Sequence, residues 1–161
     1  MDLKPGKIKM IKKKNISEKE IHKIIHNIIN QINQNLDVKI TDIVAIAKGG
    51  LIPARYIAKY LEIDKIYSIG IKYYTDIQKT MKVPHIYQHL TNKFHQSDVI
   101  LIVDDVVDSG ESISVAMTEV VKCGAKKIAT ASLHYKNKSK YIPDFYGEEC
   151  PNELWLTYNW E

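Results

Sequence analysis

One stretch in the middle of the sequence combines a short apolar run, a cluster of acids and a small-residue turn. The run, residues 99–103, contains only valine, isoleucine and leucine, which is typical of a strand buried on both faces of a parallel sheet. Asp104 and Asp105 follow at once, Asp108 comes three residues later, and residues 109–112 suit a turn that holds an anion before a helix. Carboxylates are costly where a strand leaves the core unless a cation or hydroxyl groups bind them. The stretch therefore predicts a binding site.

Strand-like and helix-like segments alternate along the rest of the chain. Further strands are predicted at residues 40–47, 66–74 and 127–135, and helical apolar spacing occurs at residues 21–32 and 113–121. Pro53 fits the first turn of another helix that runs to about Leu61, and Gly124 fits a helix end. This alternation predicts an α/β fold with a mainly parallel twisted sheet flanked by helices. A length of 161 residues fits a single domain over residues 1–161.

Two segments do not fit this alternation. Residues 75–91 have no convincing period, and a loop of this length in a compact domain is usually functional, so we predict a flexible lid. The aromatic tail, residues 143–160, predicts a late strand and a cap over the site.

Composition narrows the class of protein. With 45% hydrophobic and 26% charged residues, no apolar stretch of membrane-spanning length and two cysteines, we expect a cytoplasmic protein that has no contact with a membrane. Lysines crowd residues 4–14, but no aromatic residues interleave them. We therefore expect a solvated terminus and no nucleic-acid partner.

Three elements lie where the carboxyl ends of parallel strands meet, which is where such sheets bind ligands. They are Lys48-Gly49-Gly50, residues 104–112, and Lys136. The turn can offer N–H groups and hydroxyls to a phosphate. Carboxylates at Asp104 and Asp105 would instead accept hydrogen bonds from sugar hydroxyls or bind Mg²⁺. A site that combines these preferences predicts a ribose phosphate as ligand.

Residues 99–112 resemble the phosphoribosyl-pyrophosphate (PRPP) motif of the type I phosphoribosyltransferases, and residues 46–55 resemble the pyrophosphate loop of that family. Residues 132–136 and 152–156 are similar to the short microbial enzymes that act on xanthine, hypoxanthine or guanine. The resemblance implies the type I phosphoribosyltransferase fold, with residues 75–91 as lid and residues 137–161 as a hood over the base. It also implies a purine-salvage enzyme that uses Mg²⁺ and forms a homo-oligomer, either a dimer or a tetramer.

The resemblance also implies a role for each matched residue. Asp104 and Asp105 would hold the ribose 2′ and 3′ hydroxyls with Mg²⁺ close by, and Asp108 would act near purine N7. The 5′-phosphate would lie on Ser109, Gly110, Glu111 and Ser112. Pyrophosphate would lie on Lys48 and Gly49, whose shared peptide bond is often cis in the family. The purine would contact Lys136 through its 6-oxo oxygen, Trp155 by stacking, and backbone groups of Trp155 and Leu156 at its 2-position.

Some features depart from the family pattern or leave alternatives open. Lys48 stands where arginine is more common, and Ser109 replaces a common threonine. Tyr73-Tyr74-Thr75 replaces a Ser-Tyr pair found in some lids, so no lid residue is assigned. A PRPP-sensing regulator on the same fold and a phosphoribosyltransferase for another base are the alternatives. Lys136 and Trp155 favour a purine enzyme, and no DNA-binding domain is expected in the sequence.

Overall fold

The computed structural model describes residues 11–35, 37–75 and 82–161. Within these ranges the chain forms eight strands and three helices. The strands are β1 (Lys12–Asn15), β2 (Asp42–Ala47), β3 (Lys65–Thr75), β4 (Lys82–Gln88), β5 (Val99–Val107), β6 (Lys127–Lys136), β7 (Phe145–Cys150) and β8 (Leu154–Thr157). The helices are α1 (Glu18–Asn35), α2 (Leu51–Leu61) and α3 (Glu111–Lys122).

Six of the strands form one sheet in the order β4-β3-β2-β5-β6-β7. Strands β2, β3, β5, β6 and β7 are parallel, and β4 pairs antiparallel with β3 at the edge. This sheet confirms the predicted α/β fold. The carboxyl ends of β2, β5 and β6 therefore lie side by side, and each carries one of the predicted ligand-binding elements.

Strand β5 is the centre of the core because its side chains alternate between two buried layers. Leu101 and Val103 pack with α1 and α2 on one face, whereas Ile100 and Ile102 pack with α3 on the other. The predicted apolar face of α1 is also confirmed, because its six isoleucines are buried: Ile21, Ile24, Ile25, Ile28, Ile29 and Ile32. No described helix is long and apolar enough to cross a membrane.

The prediction of an unbroken loop over residues 75–91 is wrong for its second half. Residues 82–88 form β4 and make a hairpin with β3, in which Tyr73 lies opposite Pro84. Pro84 argues against a strand in the sequence, because proline lacks the N–H group that strand pairing uses. An edge strand such as β4 can nevertheless accommodate it. Of the rest of the predicted lid, residues 76–81 lie outside the described residues, and residues 89–91 have no regular secondary structure.

The expectation of a solvated, fraying amino terminus is confirmed for the lysine side chains of residues 12–14, which are exposed or half-buried, but it is wrong for their backbone, which is paired in a strand. These residues lie in β1, which pairs in parallel with β8 and places Lys13 opposite Trp155. Pairing uses only backbone groups, so the lysine side chains can face solvent while the strand holds the C-terminal segment. The sequence pattern does not reveal this, because β1 contains no apolar residue. The lysines of residues 4–9 lie outside the described residues.

Candidate active site

Two cavities meet at the carboxyl end of β5. The first has a volume of about 370 Å³ and is lined by Tyr73, Asp104 and residues 106–113. The second has a volume of about 430 Å³ and is lined by Asp105, Lys136, Trp155 and Leu156 among others. Val106 and Asp108 line both cavities. We call the first the cradle cavity and the second the hood cavity; Asp108 lies at their junction.

The cradle cavity ends at the amino terminus of α3. Gly110 immediately precedes this helix with φ of 90°, a left-handed conformation that favours glycine. A side chain here would also be blocked, since a Cβ atom would lie 2.6 Å from Cβ of Tyr141. The hydroxyl of Ser109 accepts a hydrogen bond from the N–H of Glu111 at 3.3 Å. The remaining N–H groups of the first turn, with the positive end of the helix dipole, make this turn a good anion site.

Asp104 and Asp105 are buried, each only 8% exposed. The N–H of Asp105 donates to Asp104 Oδ1 at 2.9 Å, and the N–H of Val106 donates to Asp105 Oδ1 at 2.7 Å. Burial raises the pKa of both carboxyl groups, and the charge of Asp105 raises that of Asp104 further. Two adjacent acids whose ionised forms are disfavoured provide a place where a cation or hydroxyl donors would be stabilising.

We predict that Asp104→Asn raises the melting temperature of the ligand-free protein at pH 8. The raised pKa of Asp104 in the folded state means that its ionisation opposes folding. The folded protein is therefore most stable, with respect to Asp104, when this carboxyl group is protonated, below the ordinary aspartate pKa. This stabilisation is lost as the pH rises through the raised pKa of the folded state. Asparagine removes the charge and keeps the oxygen that accepts from Asp105. Each kcal/mol gained would raise the melting temperature by about 2–4 °C.

Thermal unfolding at pH 8 and at pH 5 would test this prediction. The difference between variant and wild type should narrow at the lower pH as the wild-type carboxyl group takes up a proton. Asp64→Asn, an exposed acid beyond the opposite end of the sheet, is the matched control. A variant that melts below wild type at pH 8 would contradict the argument.

The turn after β2 packs directly on Asp105. At Gly49 a Cβ atom would lie 2.3 Å from Asp105 Oδ2, so only glycine fits there without movement of that carboxylate. The cis peptide bond in this turn joins Ala47 to Lys48, so the expectation of a cis bond between Lys48 and Gly49 is wrong by one residue. Lys48 is exposed beside this turn. The structure thus brings the predicted pyrophosphate loop against Asp105, one of the two predicted ribose-binding acids.

Asp105 also has neighbours from the end of the chain. The indole N–H of Trp160 donates to Asp105 Oδ2 at 3.5 Å, and the hydroxyl of Tyr158 donates to the carbonyl of Asp105 at 3.3 Å. The rings of Tyr158 and Trp160 are stacked, with centroids 4.8 Å apart. These contacts fix Asp105 between the turn after β2 and the C-terminal segment.

The hood cavity lies between β6 and β8. Lys136 is buried at its edge and donates to the carbonyl oxygens of Pro151, at 3.3 Å, and Leu154. An ammonium group has three N–H bonds, so these contacts leave one for a ligand. Trp155 lines the same cavity and is 58% exposed, whereas Leu156 is buried. Because Trp155 is so exposed, it is not a core residue in the described structure.

Sequence reasoning missed three residues that the fold brings to the site. The hydroxyls of Tyr73 and Ser112 are 2.7 Å apart, and Nζ of Lys138 lies 3.2 Å from Oδ1 of Asp108. Trp160, which contacts Asp105, is the third. Lys138 looks like one of several surface lysines in the sequence, and the other two meet their partners only through long-range packing. For Tyr73 the available signal was its place at the carboxyl end of a predicted strand.

These features define a class of protein. It is an α/β protein with an anion-binding turn, two buried acids and a tryptophan-lined cavity, all at the carboxyl ends of parallel strands. Ligands of such sheets bind in this position.

Comparison with known proteins gives the family. The chain matches the family model of the phosphoribosyl transferase domain over residues 8–160, and it belongs to this family. Curated relatives include the xanthine-guanine phosphoribosyltransferases of Cereibacter sphaeroides and Gluconobacter oxydans, 28% and 29% identical over 119 residues. The aligned part is 74% of this chain in both cases, and 68% and 67% of the respective relatives.

Solved structures agree with this assignment. The purine phosphoribosyltransferase of Pyrococcus horikoshii is 29% identical, with a TM-score of 0.81 over 92% of this chain and 94% of that one. A hypothetical protein from Neisseria gonorrhoeae with bound ppGpp is also 29% identical, with a TM-score of 0.81 over 94% of this chain and 90% of that one.

Proposed function

We propose that this protein is a purine-salvage phosphoribosyltransferase. It moves the 5-phosphoribosyl group of PRPP to N9 of a 6-oxopurine, which is hypoxanthine, guanine or xanthine, and releases pyrophosphate. The observation that carries the proposal is the position of Asp108, which lines both the cradle cavity and the hood cavity. A transfer between a phosphorylated sugar and a flat base needs such a junction. The names of the relatives support the same reaction.

The cradle cavity would hold the phosphoribosyl group. Residues 109–112 offer backbone N–H groups and two serine hydroxyls to the 5′-phosphate. Asp104 and Asp105 would accept hydrogen bonds from the 2′ and 3′ hydroxyls of the ribose. Because Gly49 lies against Asp105, the turn with Lys48 would place its cation and its amides beside the pyrophosphate.

The donor set at Asp104 and Asp105 fits Mg²⁺. Both residues offer carboxylate oxygens, the ligands that this ion prefers, and burial raises the pKa of each, so a nearby cation would offset the cost of ionisation. The described residues contain no group of three or more such ligands. We therefore expect Mg²⁺ to be held by one or both acids together with water and PRPP. When bound, it supplies positive charge to the leaving pyrophosphate.

The protein's own groups would then act at the two ends of the reaction. Loop amides and Lys48 would stabilise the negative charge that develops on pyrophosphate. Asp108 would accept a proton from purine N7, or stabilise the charge there, while N9 attacks the ribosyl carbon. The hairpin of β3 and β4 borders the cradle cavity through Tyr73, and its closure would exclude water from the cationic ribosyl centre.

The hood cavity would hold the base. The remaining N–H bond of Lys136 would donate to the 6-oxo oxygen, and backbone groups of Trp155 and Leu156 would contact the 2-position. Adenine carries an amino donor where these purines carry an oxygen, so it would face the donor of Lys136 with another donor.

We predict that Trp155→Ala raises KM for the purine about 10- to 100-fold through the loss of base stacking, which is worth roughly 1–3 kcal/mol per base. Because this side chain is 58% exposed, the melting temperature should change little. Steady-state kinetics with the base varied at saturating PRPP would measure the effect. Trp155→Phe retains an aromatic ring and should recover most of the affinity. An unchanged KM for the base in Trp155→Ala would refute the stacking role.

A PRPP-sensing regulator is the second candidate function. The observation in its favour is the similarity to the Neisseria protein with bound ppGpp, since that protein is described by a nucleotide ligand rather than by a reaction. A regulator would bind PRPP or a nucleotide without turnover. It would have no use for a carboxylate between two cavities, which favours the enzyme.

Incubation with PRPP, Mg²⁺ and one base at a time tests the proposed function. Hypoxanthine, guanine, xanthine, adenine and uracil are supplied separately, and the nucleoside 5′-monophosphate is measured. We expect product from at least one 6-oxopurine and far less from adenine or uracil. Faster product formation with uracil than with any 6-oxopurine would instead identify a phosphoribosyltransferase for another base.

A further inference from the structure

The hydroxyl group of Tyr73 reaches the cradle from the hairpin. Tyr73 lies on β3 and Ser112 lies in the first turn of α3, yet their hydroxyl oxygens are 2.7 Å apart. Tyr73 is half-buried and lines the same cavity as Asp104 and the turn at 109–112. This hydrogen bond joins the β3–β4 hairpin to the turn proposed to bind phosphate.

The number of available protons fixes the direction of this hydrogen bond once a phosphate is present. A phosphate monoester at neutral pH carries almost two negative charges and mainly accepts hydrogen bonds. A serine hydroxyl has one proton, so if Ser112 donates to the phosphate it cannot also donate to Tyr73 and must be the acceptor in that hydrogen bond. The Tyr73 hydroxyl is the side-chain partner that lies in position to donate to Ser112. Tyr73 then donates to Ser112 and Ser112 donates to the phosphate. Hydrogen bonds aligned in one direction in this way polarise and strengthen one another.

We propose that Tyr73 is a positioning residue for the 5′-phosphate. It holds the Ser112 hydroxyl so that its proton points to the phosphate, and it ties the β3–β4 hairpin to phosphate binding. This inference rests on the proposed function, because it takes residues 109–112 as the 5′-phosphate site. It adds a residue from outside the PRPP motif and a physical link between that site and the hairpin.

The test is the binding of two ligands that differ in the site they need. Ribose 5-phosphate needs the cradle, whereas pyrophosphate needs the turn after β2. We expect Tyr73→Phe, which keeps the ring and removes the hydroxyl, to weaken ribose 5-phosphate about three- to tenfold, as expected for one hydrogen bond. The affinity for pyrophosphate with Mg²⁺ should stay the same. Titration calorimetry measures both.

A double-mutant cycle shows whether Tyr73 acts through Ser112. Ser112→Ala should also weaken ribose 5-phosphate, and adding Tyr73→Phe to that variant should cause no further loss. An equal loss from Tyr73→Phe in both backgrounds would overturn the inference, because Tyr73 would then act independently of Ser112. Equal weakening of ribose 5-phosphate and pyrophosphate would also overturn it, because this would indicate a general effect on the fold.

Tyr67→Phe is the matched control. Tyr67 lies on the same face of β3, and its ring packs edge-on against Phe94 with centroids 5.6 Å apart, away from the cradle. This variant should bind both ligands like wild type. In turnover, Tyr73→Phe should raise KM for PRPP and leave KM for the purine unchanged.

The outcomes separate this inference from the proposed function. If wild-type protein binds ribose 5-phosphate but transfers nothing to a purine, the proposed enzymatic function is refuted. The double-mutant cycle of Tyr73 and Ser112 can still be measured, because it uses ribose 5-phosphate binding alone. Wild-type protein that makes nucleotide but gives no loss in Tyr73→Phe would refute the positioning role alone. If wild type does not bind ribose 5-phosphate, the cradle assignment fails and the inference fails with it.

Discussion

Replacement of Asp108 by asparagine is expected to lower kcat by roughly 100- to 10,000-fold, the range typical for loss of a general acid or base. The amide keeps the size of the carboxyl group but cannot accept a proton from purine N7. Asp108 lies at the junction of the two cavities rather than at the turn that would hold the phosphate, so KM for PRPP should stay within about threefold. Initial rates with PRPP and the purine varied in turn would measure both constants.

The control variant must show whether the loss of turnover requires removal of the carboxylate at position 108 or follows from removal of any one negative charge. Asp64→Asn removes the same charge at an exposed site beyond the other end of the sheet and should leave kcat unchanged. Asp108→Asn also removes the ionic partner of Lys138, whose ammonium group lies 3.2 Å from Asp108, whereas Asp64→Asn leaves this ion pair intact. Equal losses of PRPP affinity and turnover in Asp108→Asn would contradict a role confined to the base.

The double replacement Asp104→Asn with Asp105→Asn is expected to weaken PRPP binding about 100-fold or more. Each carboxylate would make a charge-assisted hydrogen bond to a ribose hydroxyl, and such bonds contribute roughly 1.5–3 kcal/mol. The pair is also the site at which we place Mg²⁺, so the dependence of PRPP affinity on Mg²⁺ should decrease. Calorimetric titration of PRPP with and without Mg²⁺ would measure both effects.

Asp108→Asn is the control here, since it should bind PRPP like wild type. The double variant should remain folded, because both amides keep an oxygen that accepts from the backbone N–H groups of Asp105 and Val106. Unchanged PRPP affinity in the double variant would mean that the two acids have a structural role only.

The parts of the fold that could be predicted are those with local signals. Residues 99–112 contain a buried strand, a turn and a helix start in one stretch, and the structure places β5, Gly110 and α3 there. The isoleucine spacing of α1 and the glycine after α3 are also local patterns that packing did not override. The meeting of the ligand-binding elements followed from parallel strand topology alone.

The parts that could not be predicted depend on contacts between distant residues. Lys12–Asn15 became a strand only because β8 offers a free edge, and Lys82–Gln88 became one only because β3 does. The contact between Tyr73 and Ser112 spans 39 residues, and that between Trp160 and Asp105 spans 55. No periodicity in the sequence records such contacts. Lys136 reached the predicted cavity, but its contacts with two backbone carbonyls depend on how β8 folds over β6.

The most direct test of the account measures both products of one reaction. Wild-type protein is incubated with PRPP, Mg²⁺ and hypoxanthine, guanine or xanthine, and pyrophosphate and nucleoside 5′-monophosphate are quantified together. We expect the two products in equal amounts with at least one of these bases and neither product when the base is omitted. With Asp108→Asn at the same concentration, both products should form at least about 100-fold more slowly. Tight PRPP binding with no nucleotide formed from any of the three bases would contradict the account and favour a regulator.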